Sequence, residues 1–422
     1  AAGTTIPKGY AVGAVAQSGV IREAAETAVG GWRDVGHALA QVAGQDLVAD
    51  HARARLSADL RIDAGPRLRF GKLRVSGQSR MRLQRILKIA GLPEGDIYDP
   101  QELERAAERL RRSGVFRSVS LVEDETVTAP DLLGIAATVV EEKPRRYSFG
   151  AELASSEGLA LTGSWMHRNL WGGGERLKVQ GNIAQIGAAD SGVDYGLDIT
   201  LERPATFSPD TLAALRLSTG HLDDEDYRSD FGEIGLTFSH YFSKDLTARV
   251  GLEYAFANVQ DVTGGSLFRN LSVPLGVLWD RRDSALDATS GFYLEAEAKP
   301  FLGFGTTDSG LRVTVDARAY RTFGTARPVT FAGRAQIGRV LGSALMATPR
   351  DFLFYSGGGG TVRGQPYQSL GVSILRADFK TGGTAFLGLS GEVRAKVTDT
   401  IGLVAFADAG SVGAFDFLDD IG

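Results

Sequence analysis

Alternating apolar and polar side chains dominate the chain from about residue 147 onward, and this pattern constrains the fold more than any other feature. The segment FYLEAEAK at residues 292–299 places Phe, Leu and Ala on one side of an extended strand and Tyr, Glu and Lys on the other. Segments at residues 246–256, 311–320 and 329–337 repeat the pattern. Successive side chains of a strand point to opposite faces, so the pattern predicts strands with one apolar and one polar face.

Two architectures produce such strands. A β-sandwich turns its apolar faces inward to a shared core, whereas a membrane barrel turns them outward to lipid. Here the opposite face carries dense charge in strand after strand, which suits a wet lumen, and the strands reach the roughly 9–11 residues that a tilted strand needs to cross a bilayer. About 265 residues keep this pattern without a helical interruption. We therefore predict a membrane-spanning antiparallel β-barrel over residues 147–422.

Composition narrows the possible functions. Residues 1–146 contain 22 basic and 19 acidic side chains and the remainder contains 24 basic and 32 acidic ones, which is not the basic profile of a nucleic-acid-binding protein. The chain has no cysteine, which fits an envelope protein, although many cytosolic proteins also lack it. No run approaches the roughly 18 apolar residues of a membrane helix. The first residues show no signal peptide, so we expect a processed or trimmed piece.

Residues 1–146 show a mixed helix and strand pattern that predicts soluble α+β structure. Asp99 is the expected N-cap of one helix, because Pro100 follows it and Glu102 lies three residues on, as in a capping box. The expected elements are a helix at 20–35, strands at 37–42, 52–62 and 67–75, helices at 80–90 and 100–113, and strands at 116–122 and 134–140.

A glycine-rich stretch, GGGGTVRGQPYQSLG at residues 357–371, interrupts the alternating strands near the C-terminal end. Four successive glycines cannot remain in a helix and weaken a strand, and Pro366 removes a backbone donor. Composition alone indicates a flexible surface loop in which Arg363 is merely solvated.

The tripeptide Val362, Arg363, Gly364 within this loop resembles the signature of the outer-membrane assembly and translocation barrels, the superfamily of BamA, TamA and the two-partner secretion transporters. In that family the loop folds back into the barrel, and its arginine meets acidic residues on the inner wall. The family has an aromatic residue after the glycine, where this chain has Gln365, so the resemblance leaves the packing beside the arginine open.

The acidic partners that the resemblance implies are Glu392, in LSGEVRAK at residues 389–396, and Asp408, in FADAG at residues 406–410. Arginine suits this position because its planar guanidinium can serve two carboxylates at once. The alternative is that these are separate lumenal charges with unrelated counterions.

Two further segments resemble turn motifs of the same family. MHRNLWGGGERL at residues 166–177 is similar to its early strand and turn. WDRRDSALDATSG at residues 279–291 is similar to its mid-barrel turn, with Ala288 in place of a usual proline, which predicts a looser turn. The motif residues are Asn169, Gly172, Asp280, Arg282 and Asp283.

The phrases FGKLRVSG, YDPQELERAAERLRRSGVF and VVEEKP resemble a POTRA domain, which we place at residues 66–146. Residues 1–65 resemble a preceding POTRA copy that is possibly incomplete, without its first strand. A generic small α+β domain is the alternative for this part of the chain.

The resemblance also implies that the first barrel strand, with Tyr147, Phe149 and Gly150, forms one side of a lateral seam. About thirteen strands can be counted, whereas the family pattern has sixteen. We therefore expect the chain to be C-terminally incomplete, with an open wall between Tyr147 and the last strand.

The implied function, most like that of TamA, is to fold and insert client outer-membrane proteins such as autotransporters, with the POTRA domains in the periplasm accepting clients by strand addition. Outer-membrane lipid and an inner-membrane-anchored, periplasm-spanning protein are further possible partners, and nucleic acid is not. A two-partner transporter exporting one protein through the lumen, and a passive pore, are the alternatives. A transporter needs a proline-rich plug helix upstream, and a pore needs no POTRA domain.

No enzyme, metal or cofactor is expected. The five histidines are scattered without an HExxH pair, cysteine is absent, and no GxSxG elbow occurs. The acidic stretch HLDDEDYRSD at residues 221–230 is expected to be a solvated extracellular loop. A calcium site there is an alternative, although its spacing fits no EF-hand.

Overall fold

The computed structural model describes residues 6–77, 79–154, 158–188, 191–223, 227–325, 327–374, 380–398, 400–417 and 420–421. The chain divides into two compact units. The predicted domain boundaries after residues 65 and 146 stay predictions. The N-terminal unit comprises Ala1–Pro144, Arg168–Glu175 and Phe207–Pro209, and the sheet unit comprises Arg145–His167, Arg176–Thr206 and Asp210–Gly422.

The N-terminal unit contains, in order, α1 (Ser18–Arg33), β1 (Gln41–Asp50), β2 (Arg55–Asp63), β3 (Arg69–Ser76), α2 (Leu83–Ala90), α3 (Pro100–Arg112), β4 (Phe116–Thr128) and β5 (Leu132–Glu141). β1 and β2 form an antiparallel hairpin. The other strands form a sheet in the order β3–β5–β4, with β3 parallel to β5. The predicted order strand, helix, helix, strand, strand is confirmed. In the described part of the chain, no helix is long and apolar enough to span a membrane.

Helix α3 begins at the N-cap residue that the sequence predicts, although Glu102 pairs with Arg105 and not with the N-cap as in a capping box. Asp99 Oδ1 accepts a hydrogen bond from the Gln101 amide at 2.8 Å. Pro100 occupies the first helical position, where its missing amide hydrogen would have no partner within the helix. Glu102 forms an ion pair with Arg105 at 2.9 Å. The buried side chains of the helix are Leu103, Ala106, Ala107 and Leu110.

The strand predicted at residues 37–42 is wrong, because β1 begins only at Gln41. Residues 37–40 form a turn in which the Ala40 amide donates to the His37 carbonyl at 3.0 Å. Ala38 within this turn is 2% exposed and belongs to the core cluster that contains Leu68. Burial of the turn therefore overrides the extended pattern of the local sequence.

Tyr98 connects three parts of the N-terminal unit. Its side chain is 1% exposed and lies in the core with Phe70. Its hydroxyl donates to Glu123 Oε1 on β4 at 2.5 Å and accepts a hydrogen bond from Arg33 Nη2 on α1 at 2.7 Å. Burial raises the pKa of Tyr98 far above its ordinary value. The phenol therefore stays protonated at neutral pH and bridges the two charged side chains.

The sheet unit is one antiparallel ladder. Its strands are β6 (Arg145–Ala154), β7 (Gly158–Arg168), β8 (Arg176–Ile186), β9 (Asp194–Arg203), β10 (Thr211–Asp223), β11 (Tyr227–Tyr241), β12 (Leu246–Asp261), β13 (Gly264–Ser272), β14 (Leu275–Asp280), β15 (Gly291–Gly303), β16 (Gly310–Phe323), β17 (Val329–Leu341), β20 (Ala385–Lys396), β21 (Gly402–Gly413) and β22 (Asp420–Ile421), and β18 (Val372–Ser373) and β19 (Lys380–Thr381) form a separate hairpin.

The ladder runs in sequence order from β6 to β22, with β13 and β14 sharing one position between β12 and β15. This gives fourteen positions among the described residues, of which the last is the two-residue strand β22. The predicted fold class, POTRA structure followed by an antiparallel barrel sheet, is confirmed, and β22 is added to the roughly thirteen strands expected.

Two prolines interrupt the ladder where β13 gives way to β14. The Pro274 carbonyl accepts a hydrogen bond from the Gly251 amide at 2.9 Å, and the Pro300 carbonyl accepts one from the Val273 amide at 3.0 Å. Proline has no amide hydrogen, so neither proline can donate in return. Two ladder bonds are therefore missing here, while the register is the same on both sides of the gap.

The two faces of the ladder differ in chemistry, as the alternation predicts. Glu297 and Lys299 on β15 point to the charged face, where Arg249 donates to Glu297 at 3.0 Å and Lys299 contacts Glu253 at 2.8 Å. Leu252, the neighbour of Glu253 on β12, points the other way and is 52% exposed. In a barrel the charged face lines the lumen and the apolar face meets lipid.

The acidic stretch at residues 221–230 is not the loop that its composition predicts. β10 continues to Asp223 and β11 begins at Tyr227, and His221 Nδ1 lies 2.7 Å from Asp230 Oδ1 across the hairpin. This contact joins the two strands across the hairpin, and the strands extend further than expected. Residues 224–226 lie outside the described residues. Among those described, no group of three or more His, Cys, Asp or Glu could hold a metal ion.

Residues 342–384, which we call the arginine segment, connect β17 to β20. They include two short 3-10 turns, Leu345–Ala347 and Arg350–Phe352, and the β18–β19 hairpin. Apolar side chains of its described residues share one core with the lumenal face of the sheet, so this part of the segment packs as a folded element and not as a solvated surface loop. The buried members of this core are Phe301, Val340, Phe352, Phe354, Val362, Leu370, Phe386 and Val412.

Candidate functional site

Positive backbone angles shape the turn that carries Arg363. The angle φ is 104° at Gly357 and 86° at Gly358, a region that favours glycine. The Gly357 amide donates to Thr361 Oγ1 at 2.8 Å, and the Gly358 amide donates to the Gln365 carbonyl at 3.1 Å. The glycine run therefore forms a hydrogen-bonded turn, to which Gln365 contributes its backbone.

Arg363 lies against two carboxylates of the lumenal wall. Its Nε and Nη2 donate to the two oxygens of Asp408 at 2.6 and 2.7 Å, and its backbone amide donates to Asp408 Oδ2 at 3.0 Å. Its Nη1 donates to Glu392 Oε1 at 2.6 Å. The structure thus brings together the three residues that the sequence motif links. A lysine could not make this arrangement, because it lacks the planar set of donors.

The aromatic partner of Arg363 is Phe406, which the sequence reasoning missed. The guanidinium carbon lies 3.8 Å from the centre of the Phe406 ring, a cation–π contact. The family pattern places an aromatic residue after Gly364, where this chain has Gln365. A signal for Phe406 was nevertheless present, because it precedes Asp408 by two positions on one strand and so shares its face.

A second lumenal arginine, Arg334 on β17, also binds the arginine segment and was not predicted. Its Nη1 donates to the Gly360 carbonyl at 2.8 Å, and its Nη2 donates to Asp316 Oδ2 at 2.7 Å. Glu392 is similarly shared, since Arg394 Nη2 donates to its second oxygen at 2.7 Å. Alternation along β17 and β20 predicts that these side chains lie on the lumenal face. It does not predict which atoms they bind.

Val362 and Gly364, which flank the arginine, have structural roles. Val362 is 4% exposed, and a Cβ atom added at Gly410 on β21 would lie 2.5 Å from Val362 Cγ2. The absence of a side chain at Gly410 therefore permits this close approach to the wall. Gly364 has a φ of 92°, a conformation that L side chains rarely adopt, and its Cβ position is open. Backbone conformation explains a glycine at that position.

The turn motif with Asn169 and Gly172 lies in the N-terminal unit and not in the sheet unit. Asn169 has a φ of 63°, and its Oδ1 accepts a hydrogen bond from the Gly174 amide at 3.0 Å. The Gly172 carbonyl accepts one from the Arg82 amide at 2.9 Å, just before α2. These contacts give the motif a folding role within that unit.

The turn with Asp280, Arg282 and Asp283 is closed by hydrogen bonds. Arg282 binds Asp280 through Nε at 2.9 Å and Nη2 at 2.7 Å. Asp283 accepts hydrogen bonds from the hydroxyl of Thr289 and from its amide, the latter at 2.9 Å, and these lower the pKa of Asp283 below its usual range. Ala288 is 3% exposed. The looser turn expected from Ala288 stays a prediction.

Tyr147, Phe149 and Gly150 lie on β6, the first strand of the ladder. β6 pairs with β7, with Phe149 opposite Gly163 and Gly150 opposite Thr162. Within the described residues, no pairing joins β6 to the strand at the other end of the ladder. Tyr147 and Phe149 share one face and are 62% and 86% exposed. The role of these residues in a lateral seam stays a prediction.

Comparison with known proteins agrees with this architecture. The model of the Omp85 superfamily domain matches residues 169–416, and that of POTRA, the surface antigen variable number repeat, matches residues 68–141. The outer membrane protein assembly factor BamA of Neorickettsia risticii is 23% identical over 257 residues, which are 60% of this chain and 33% of that protein. The match thus spans about a third of the length of that curated relative.

Solved structures show the same fold. BamA from Haemophilus ducreyi lacking POTRA domains 1–3 aligns with a TM-score of 0.69 at 17% identity, over 95% of this chain and 82% of that chain. CdiB from Acinetobacter baumannii aligns with a TM-score of 0.62 at 11% identity, over 96% of this chain and 73% of that chain. The Omp85 match covers more than half of the sequence, and with it the arginine segment and both of its carboxylate partners. The chain therefore belongs to the Omp85 superfamily.

Proposed function

We propose that this protein is an outer-membrane assembly factor that folds client β-barrel proteins, such as autotransporters, and inserts them sideways into the membrane. The N-terminal unit faces the periplasm and receives the unfolded client, and no bound cofactor takes part. The observation that carries the proposal is the Arg363 cluster. It holds a folded segment against the lumenal wall, so a client that passed through the lumen would first have to displace this segment.

The second part of the proposal concerns the first strand of the ladder, β6. A strand with a free edge can template an incoming strand, because its backbone amides and carbonyls can continue the ladder. Tyr147 and Phe149 project from β6 on one face and remain exposed. In the proposed mechanism the strands of the client pair with β6 one after another. A TamA-like role in autotransporter assembly, with a partner anchored in the inner membrane, is the finer form of the proposal.

A two-partner secretion transporter is the second candidate, and the likeness to CdiB favours it. Such a protein would pass one cargo protein through the lumen, so the arginine segment would have to leave the lumen during transport. A passive pore is a weaker candidate, because the packed segment would obstruct an open channel and the POTRA structure would have no use.

The proposal is tested by Arg363→Ala, with Arg216→Ala as the matched control. Arg216 on β10 binds Asp198 on β9 through Nε at 3.1 Å and Nη2 at 2.7 Å, and Asp198 is 34% exposed. It is thus an arginine–aspartate pair of the sheet that does not involve the arginine segment. Removal of Arg363 leaves Asp408 buried without its cation and loosens the segment.

We expect both variants to insert into the outer membrane, and only Arg363→Ala to lose autotransporter display. The measurement is surface labelling of an autotransporter passenger in cells that depend on each variant, with the variant barrel quantified in the same membranes. Normal display by Arg363→Ala would contradict the proposal. Normal display in cells lacking the protein altogether, together with loss of one secreted cargo, would favour the transporter instead.

A further inference from the structure

A second ion pair joins the arginine segment to the wall. Arg350 lies in the 3-10 turn Arg350–Phe352, and its Nη2 contacts Asp261 Oδ2 at the end of β12. Its Nη1 donates to Thr381 Oγ1 at 2.5 Å. The side chains of Arg350 and Asp261 are 8% and 5% exposed, whereas that of Arg363 is 30% exposed. The side chain of Arg350 is therefore more buried than that of Arg363.

The Asp261 carboxylate is already oriented by its own turn. Its Oδ1 accepts hydrogen bonds from the Thr263 amide at 2.7 Å and from the Thr263 hydroxyl at 2.5 Å. One oxygen thus holds the turn between β12 and β13, and the other receives Arg350. Charge-assisted hydrogen bonds in such a fixed geometry are stronger and more directional than those of exposed pairs.

The two ion pairs hold the segment at different parts of the wall. The carboxylates that bind Arg363 are on β20 and β21, beside the strand by which the segment returns to the ladder. Asp261 is on β12, which is separated from β17 by β16, β15 and the shared position of β13 and β14. A segment held at one point can pivot about it, whereas one held at two distant points cannot.

We infer that Arg350 is a second anchor of the arginine segment, a positioning residue that holds the segment against β12 separately from the Arg363 cluster. The neighbouring backbone has a contact of its own with the wall, since Arg312 Nε on β16 donates to the Phe352 carbonyl at 3.1 Å. Breaking the buried pair leaves an uncompensated carboxylate at Asp261, which drives the segment away from the wall. Release of the segment therefore requires the Arg350 pair to open as well as the contacts of Arg363.

The chain has no cysteine, so one introduced thiol reports on the segment alone. Ser356 lies between the anchors in sequence and is 1% exposed, and its Oγ has no hydrogen-bond partner among the described residues. Ser356→Cys therefore removes no hydrogen bond there, and its reaction with a maleimide requires the segment to open. Ser218→Cys on β10, at a site that is 8% exposed, is the control reporter for general loosening of the sheet.

Labelling rates are measured for the full chain in lipid vesicles. We expect Arg350→Met to speed labelling of the Ser356→Cys reporter about tenfold, and Arg350→Met with Arg363→Met about a hundredfold, because effects of separate sites add as free energies. The Ser218→Cys reporter is expected to react at an unchanged rate.

Three results would overturn the inference. An unchanged rate at the Ser356→Cys reporter in Arg350→Met would show that the pair does not hold the segment. Equal acceleration at the Ser218→Cys reporter would show that the pair only stabilises the sheet. A double variant no faster than Arg363→Met alone would show that the segment has a single anchor. None of these measurements needs a client protein, so they are independent of the proposed function.

Discussion

The guanidinium of Arg363 lies directly over the ring of Phe406, with 3.8 Å between the guanidinium carbon and the ring centre. Phe406 and Asp408 are two positions apart on β21, so the ring and the carboxylate meet the same arginine from the same strand. Glu392 on the neighbouring strand completes the arrangement. The arginine is thus held in one orientation by three side chains of the wall, which fixes the turn that carries it.

The two carboxylates of this cluster are expected to differ in importance. Asp408→Asn weakens three hydrogen bonds at a side chain that is 2% exposed, and should lower the free energy of unfolding by roughly 3–5 kcal/mol. Glu392→Gln should cost roughly 1–2 kcal/mol, because Asp408 still holds Arg363. Urea unfolding in lipid vesicles measures both losses. Equal losses would show that Arg363 does not depend chiefly on Asp408.

A single methyl group should displace the arginine segment. In Gly410→Ala the new Cβ would meet Val362 Cγ2 at 2.5 Å and Ser356 Oγ at 2.8 Å. We expect a loss of roughly 1–3 kcal/mol and faster proteolysis of the segment. Gly391→Ala on β20 is the matched control, because a Cβ there has nothing within 4 Å. If both variants resist protease equally, the close packing of Val362 on β21 is unimportant.

Tyr98 should make the stability of the N-terminal unit depend on pH in the alkaline range. Its pKa is raised by burial above the ordinary value of 10.0, so the folded state keeps the phenolic proton more tightly than the unfolded state does. The stability from this difference is fully present below pH 10.0 and is lost as the pH rises above it.

Tyr98→Phe removes this dependence. At neutral pH it should cost roughly 1–3 kcal/mol, because Glu123 and Arg33 lose the hydroxyl between them. Between about pH 8 and about pH 10.5, however, thermal unfolding of the N-terminal unit should shift less in the variant than in the wild type. Equal shifts in the two proteins would show that Tyr98 does not titrate with unfolding.

The barrel and the cluster of Arg363 with Glu392 and Asp408 can be predicted from the sequence, because both leave short-range signals in it. Alternation at every second residue marks the strands of the sheet and the lumenal face of Glu392, and the tripeptide around Arg363 marks the loop. The anchor between Arg350 and Asp261 leaves no such signal. Its partners are 89 residues apart, and neither belongs to a motif. Only the folded ladder brings them together.

Two expectations failed because a tertiary contact outweighed a local pattern. Residues 37–40 read as extended, yet the core around Ala38 holds them in a turn. The acidity of residues 221–230 predicts a loop, yet the pairing of β10 with β11 continues into this stretch. In both cases the structure depends on contacts with other parts of the fold, which the pattern of neighbouring residues does not show.

The central claim, that clients enter the membrane by pairing with β6, is tested most directly by disulfide formation with a client trapped during assembly. Because the chain has no cysteine, Ser148→Cys on β6 and Ser239→Cys on the lumenal face of β11 each provide a single thiol. When a single cysteine is moved along the terminal strand of an autotransporter, it should form a disulfide with the Ser148→Cys protein only where it faces Ser148 in the paired register, and none with the Ser239→Cys protein. Disulfides at Ser239→Cys with none at Ser148→Cys would show passage through the lumen and contradict the claim.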